Sequence, residues 1–125
     1  MTMNLYAAWI GMTLGCIAGA IPGLFFHAED WLGGYGSWRR RMIRLGHISF
    51  FGLGLINLAF AQTATNLELT GGLSVCSILL VVGAVAMPLV CYLSAWQIAF
   101  RHLFFIPATS VTVGIAMFLW RIATP

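Results

Sequence analysis

The chain carries six arginines and three acids as its only formally charged side chains, and their spacing constrains the fold more than any other feature. They stand at Glu29, Asp30, Arg39, Arg40, Arg41, Arg44, Glu68, Arg101 and Arg121. Between them lie charge-free runs at residues 1–28, 45–67, 69–100 and 102–120, of 28, 23, 32 and 19 residues. A bilayer crossing needs about 20 mostly apolar residues. Each run can therefore hold one crossing, and none can hold two with a turn between them.

Composition agrees with that reading. Charged residues make up 7% of the chain and hydrophobic ones 61%, against the usual charged share of about 25% in water-soluble domains. So few charges cannot coat a soluble globule. The expected fold is all-α, an integral membrane bundle of four transmembrane helices forming a single domain over residues 1–125. The helices are expected at about 5–26, 42–61, 71–96 and 103–120.

The first run has features of an export signal, with a small-residue "AGA" at 18–20 and Cys16 after a Leu-Gly pair. However, no Lys or Arg precedes the apolar stretch, and position 13 is Thr where a lipoprotein signal wants an aliphatic residue. It is read as a retained helix. Pro22 and Pro107 fall near helix ends, whereas Pro88 lies well inside the third helix, where a lost backbone bond predicts a bend between Ala84 and Pro88.

Orientation follows from the arginines. "SWRRRMIR" (37–44) joins the first two helices and Arg101 joins the last two, so five of the six arginines share one side. The opposite side holds "AQTATNLELTGG" (61–72), with no basic residue, and both termini. The positive-inside rule makes the arginine side cytoplasmic and places both termini on the non-cytoplasmic side. A multi-pass protein of the cell inner (plasma) membrane is expected. Arg39, Arg40, Arg41, Arg44 and Arg101 are read as contacts for lipid headgroups. A row this short beside Trp31, Tyr35 and Trp38 is an interfacial anchor, not a nucleic-acid site.

Along "AWIGMTLGCIAGAIPGL" (8–24), glycine recurs at Gly11, Gly15, Gly19 and Gly23. Steps of four drift about 40° around a helix of 3.6 residues per turn, so the four form one shallow groove. Apolar side chains gain nothing by leaving lipid for one another, and small-residue rows let helices approach closely. The row is read as a packing seam. Ala108, Thr112 and Ala116 on the fourth helix offer a matching row, as do Gly46, Ser49 and Gly52 on the second; a partner in another subunit is equally compatible.

Few residues could carry chemistry. His27, His47 and His102 all fall toward the arginine side, and imidazoles at one depth could bind a transition metal or supply haem ligands. His47 and His102 are the most plausible pair, although no spacing matches a metal motif. His47 and Asn57 are buried polar groups that need partners inside a bilayer. Cys16, Cys76 and Cys91 are odd in number, lack a CxxC spacing and read as small apolar residues.

No charged residue lies mid-helix, which disfavours a proton-coupled pump with titratable relays at depth. Haems at both surfaces would need histidines near both, and here they occupy one. The expectation is a non-catalytic accessory or structural subunit of a larger membrane complex, respiratory or photosynthetic in type, with membrane lipids and other subunits as partners. The alternatives are a redox or metal-handling protein built on the histidine layer, with haem or metal as cofactor, and an oligomeric small transporter.

Overall fold

A computed structural model describes residues 1–124, which form four long helices: α1 (Thr2–Gly23), α2 (Trp38–Asn66), α3 (Ser74–Trp96) and α4 (Phe105–Ala123). Short 3-10 segments, Trp31–Gly33 and Ile98–Phe104, lie in the two connections at the arginine end. Among the described residues there is no strand. All four helices, the last counted with its 3-10 lead-in, are long and apolar enough to cross a membrane. The chain is an all-helical, multi-pass membrane protein.

The helices pack in chain order, α1 on α2, α2 on α3 and α3 on α4, and α1 touches α3 much less than it touches α2. Arg39 to Arg44 and Arg101 emerge at the same end, because the Trp38 indole N–H donates to the Ser94 carbonyl at 2.8 Å, tying the start of α2 to the end of α3. At the other end Phe60, Ala64, Leu73, Cys76 and Leu80 form a buried cluster against Val111 and Phe118 of α4. Between α1 and α3 remains an apolar cleft of about 450 Å³, lined among others by Gly11, Leu14, Phe50 and Pro88.

The helix ends differ from those expected. α2 runs for 29 residues, about 43 Å at 1.5 Å per residue, longer than a hydrocarbon core of about 30 Å. Its first turn carries Arg39, Arg40 and Arg41 and its last turns carry "QTATN", all of them outside the expected 42–61. Polar residues end a hydrophobic run but not a helix whose ends lie at headgroup depth. At the start, the Ser37 hydroxyl accepts the Arg40 backbone N–H at 3.2 Å, an N-cap that sets where α2 begins. α3 continues as one helix through Pro88.

Candidate functional site

Gly11, Gly15 and Gly19 all face α2, each in a different way. A side chain at position 11 would meet the Phe50 carbonyl oxygen at 3.4 Å, so the backbones come close there. At position 15 it would strike the Phe51 ring at 2.7 Å, and at position 19 the His47 imidazole. These two glycines are sockets for rings. Gly54 of α2 reciprocates, since a side chain there would lie 3.1 Å from the Ala8 carbonyl oxygen. Gly23 has no neighbour within 4 Å.

The row on α4 takes no part in this seam. Ala108, Thr112 and Ala116 lie on the exposed face of α4, and the residues packed on α3 are Pro107, Ser110 and Gly114. Ser110 donates to the Leu79 carbonyl at 2.7 Å, and Gly114 accommodates Leu79 and Leu80. Gly46 and Ser49 are buried on the α2 face where Gly46 meets Tyr92 and Cys91 of α3, while Gly52 has nothing within 4 Å. The α2 stripe that faces α1 is Arg40, His47, Phe51 and Gly54. Its spacings of seven, four and three keep one side of a helix.

His47 fills the gap above Gly19. Its Nδ1 lies 2.9 Å from the Gly15 carbonyl oxygen, so this nitrogen carries the proton and donates. The ring also meets Phe51 edge-on at 5.5 Å between centroids. His27 and His102 are both exposed, with His27 Nδ1 3.0 Å from the Leu24 carbonyl oxygen. The structure does not bring the three histidines together. Among the described residues no three His, Cys, Asp or Glu side chains are grouped so as to hold a metal ion.

Asn57 belongs to a polar knot that joins three helices. Its Oδ1 accepts from Asn4 Nδ2 at 2.8 Å, and its Nδ2 donates to the carbonyls of Leu53 (2.9 Å) and Leu80 (3.2 Å). Asn4 Nδ2 also reaches the Ser77 carbonyl at 3.3 Å, and the Ser77 hydroxyl donates to Asn4 Oδ1 at 2.5 Å. Asn4 and Asn57 are both fully buried. Asn4 lies inside α1 and not before it as the expected start near residue 5 implies, and its spacing to Ala8 and Gly15, the other buried residues of α1, marks it as part of the same face.

The arginines divide into two kinds. Arg39, Arg41 and Arg101 are exposed, and Arg44 is half-buried. Arg40 is only 3% exposed and is no headgroup contact. Its Nε donates to the Trp31 carbonyl at 2.6 Å and an Nη donates to the Ala28 carbonyl. The same guanidinium lies 5.2 Å from the Trp31 ring centre and 5.9 Å from that of Phe26. It lies on the α2 stripe that faces α1, which carries it under the connecting loop and not into lipid. Of the clustered arginines this one is spent on folding that loop.

Fold and side-chain placement thus define a small multi-pass membrane protein whose ring-in-glycine seam and buried polar knot hold α1 to the other helices. Comparison with protein-family models, with curated proteins and with solved structures yields no match.

Proposed function

We propose that the chain is an accessory subunit of a larger membrane assembly, packing against another polytopic subunit through the outer face of α4. The observation that carries this reading is the row of Ala108, Thr112 and Ala116. It has the small-residue spacing that favours close helix approach in lipid, yet the chain's own bundle uses Pro107, Ser110 and Gly114 instead. The short loops and the histidines held apart support a packing role over a redox one. The arginine end is cytoplasmic by the positive-inside rule, in a cell inner membrane.

Purification in mild detergent followed by mass spectrometry of intact assemblies tests this. A partner chain at fixed stoichiometry is expected with the wild type, and Thr112→Leu or Ala116→Leu should release it while leaving the subunit folded. A chain that purifies alone, or a partner retained equally by both variants, overturns the reading. For orientation, an impermeant maleimide applied to intact cells should label Thr124→Cys and spare Arg41→Cys.

A further inference from the structure

At the arginine end α1 and α2 enclose a cleft of about 300 Å³, whose lining includes Ala18, Gly19, Pro22, Ile43, Arg44 and His47. The lining is apolar apart from its last two members, and no carboxylate is among them. Arg44 is held by stacking, its guanidinium carbon 4.1 Å from the centre of the Tyr35 ring. Among the described residues the Arg44 side chain makes no hydrogen bond, so its N–H donors remain available beside that ring. His47 lines the same cleft beside Gly19, its Nδ1 committed to the Gly15 carbonyl.

The cleft does not end there. An apolar depression of about 330 Å³ shares Ala18 and Pro22 with it and extends to Leu14, Phe50 and Tyr92. Those three also line the larger cleft between α1 and α3. From Pro22 to Ile10 this wall covers about 18 Å at 1.5 Å per residue, close to one leaflet of a core about 30 Å thick. An apolar track one leaflet deep with a cation at its mouth fits one kind of occupant.

We infer that this track binds a single anionic phospholipid of the arginine-side leaflet, its phosphate on the Arg44 guanidinium and one acyl chain along Ala18, Leu14 and Phe50. Arg44 supplies charge-assisted donors at headgroup depth, and the glycine at position 19 makes room for the imidazole beside it. The inference rests on the membrane-spanning fold and is independent of any partner subunit.

The test is native mass spectrometry of the detergent-purified chain titrated with phosphatidylglycerol or phosphatidylcholine of identical acyl chains. One molecule of the anionic lipid should be retained with a preference of about fivefold over the zwitterionic one, the discrimination expected of one arginine near the surface. Arg44→Gln should abolish the preference, and Arg41→Gln, at an exposed position, should keep it. Ala18→Trp, which fills the shared wall, should reduce retention of both lipids. Equal retention of the two lipids by the wild type overturns the site. So does an Arg44→Gln variant as selective as Arg41→Gln, or displacement of the lipid by inorganic phosphate, which marks a pocket for free anions. Elution profiles of the variants report whether each is folded.

Discussion

Asn4 in the first turn of α1 and Asn57 in the C-terminal half of α2 join their side-chain amides at 2.8 Å, 53 residues apart in sequence and both fully buried. Every amide hydrogen of the pair has an acceptor, and the acceptors include backbone carbonyls of Ser77 and Leu80 on α3. One knot therefore fixes the relative depth of three helices. Asn57→Ala should destabilise the protein by about 1–3 kcal/mol, because it leaves buried polar groups unpaired. In a double-mutant cycle, Asn4→Ala and Asn57→Ala should couple by about 0.6–1.7 kcal/mol, the scale of hydrogen bonds between membrane helices. Denaturation in mixed micelles measures both, and additive losses would remove the knot from the account of stability.

Four glycines at equal spacing are not equivalent in the folded chain. Gly19 lies under the His47 ring and Gly15 under the Phe51 ring, but Gly23 closes α1 with no neighbour within 4 Å. Gly19→Leu and Gly15→Leu should each lower stability by at least about 1–3 kcal/mol, the cost of overpacking a fitted interface. Gly23→Leu should stay within about 0.5 kcal/mol of wild type, as surface substitutions do, and Leu14→Ile should likewise be mild. Folded yield in detergent ranks the four variants. A severe Gly23→Leu would mean that the groove continues beyond this chain's own packing.

Arg40 and Arg41 are neighbours with opposite roles. Arg40 holds two loop carbonyls and stacks with Phe26 and Trp31, while Arg41 is exposed. Arg40→Lys keeps the charge but loses the planar fork that reaches both carbonyls, and should cost about 1.5–3 kcal/mol. Limited proteolysis reads this locally. Cleavage between residues 24 and 37 should accelerate in Arg40→Lys and remain at the wild-type rate in Arg41→Gln. Equal rates would return Arg40 to the headgroup layer.

The number of helices and the grouping of the arginines were legible because both follow from charge spacing, which lipid imposes directly. Helix ends were less so: α2 extends through "QTATN" because headgroup depth tolerates polar side chains on a helix. The facing of individual side chains was the least legible part. Small residues line both sides of α4, and only the phase of its packing on α3 separates Ser110 and Gly114 from Thr112. Arg40 differs from Arg39 and Arg41 by 100° of helix phase. The stripe shared with His47 and Gly54 was the available signal, and it could be read only once α1 was known to be the partner. Asn4 is not legible as a helix residue because α1 begins at Thr2, three residues before the apolar run suggests.

The end of α2 supplies a prediction of the opposite sign. The Leu69 N–H bonds the Ala64 carbonyl at 3.0 Å and the Glu68 N–H bonds the Thr65 carbonyl at 3.1 Å, the paired bonds of a Schellman cap. Leu69 then folds back onto the buried cluster that contains Ala64, completing the motif. The cap requires a left-handed residue at position 68, and Glu68 adopts it with φ of 50°. A side chain in that conformation costs about 1–2 kcal/mol, whereas glycine adopts it freely and returns about 0.5–1 kcal/mol as extra unfolded-state entropy. Glu68 is exposed and stands outside both helices, so the substitution removes no buried contact. Glu68→Gly should therefore stabilise the protein by about 0.5–1 kcal/mol, read as a higher denaturation midpoint in detergent. Gly71→Ala, at φ of 77° in the same connection, should move the midpoint the other way. A Glu68→Gly variant less stable than wild type would show that the carboxylate itself, and not the backbone it strains, holds this turn.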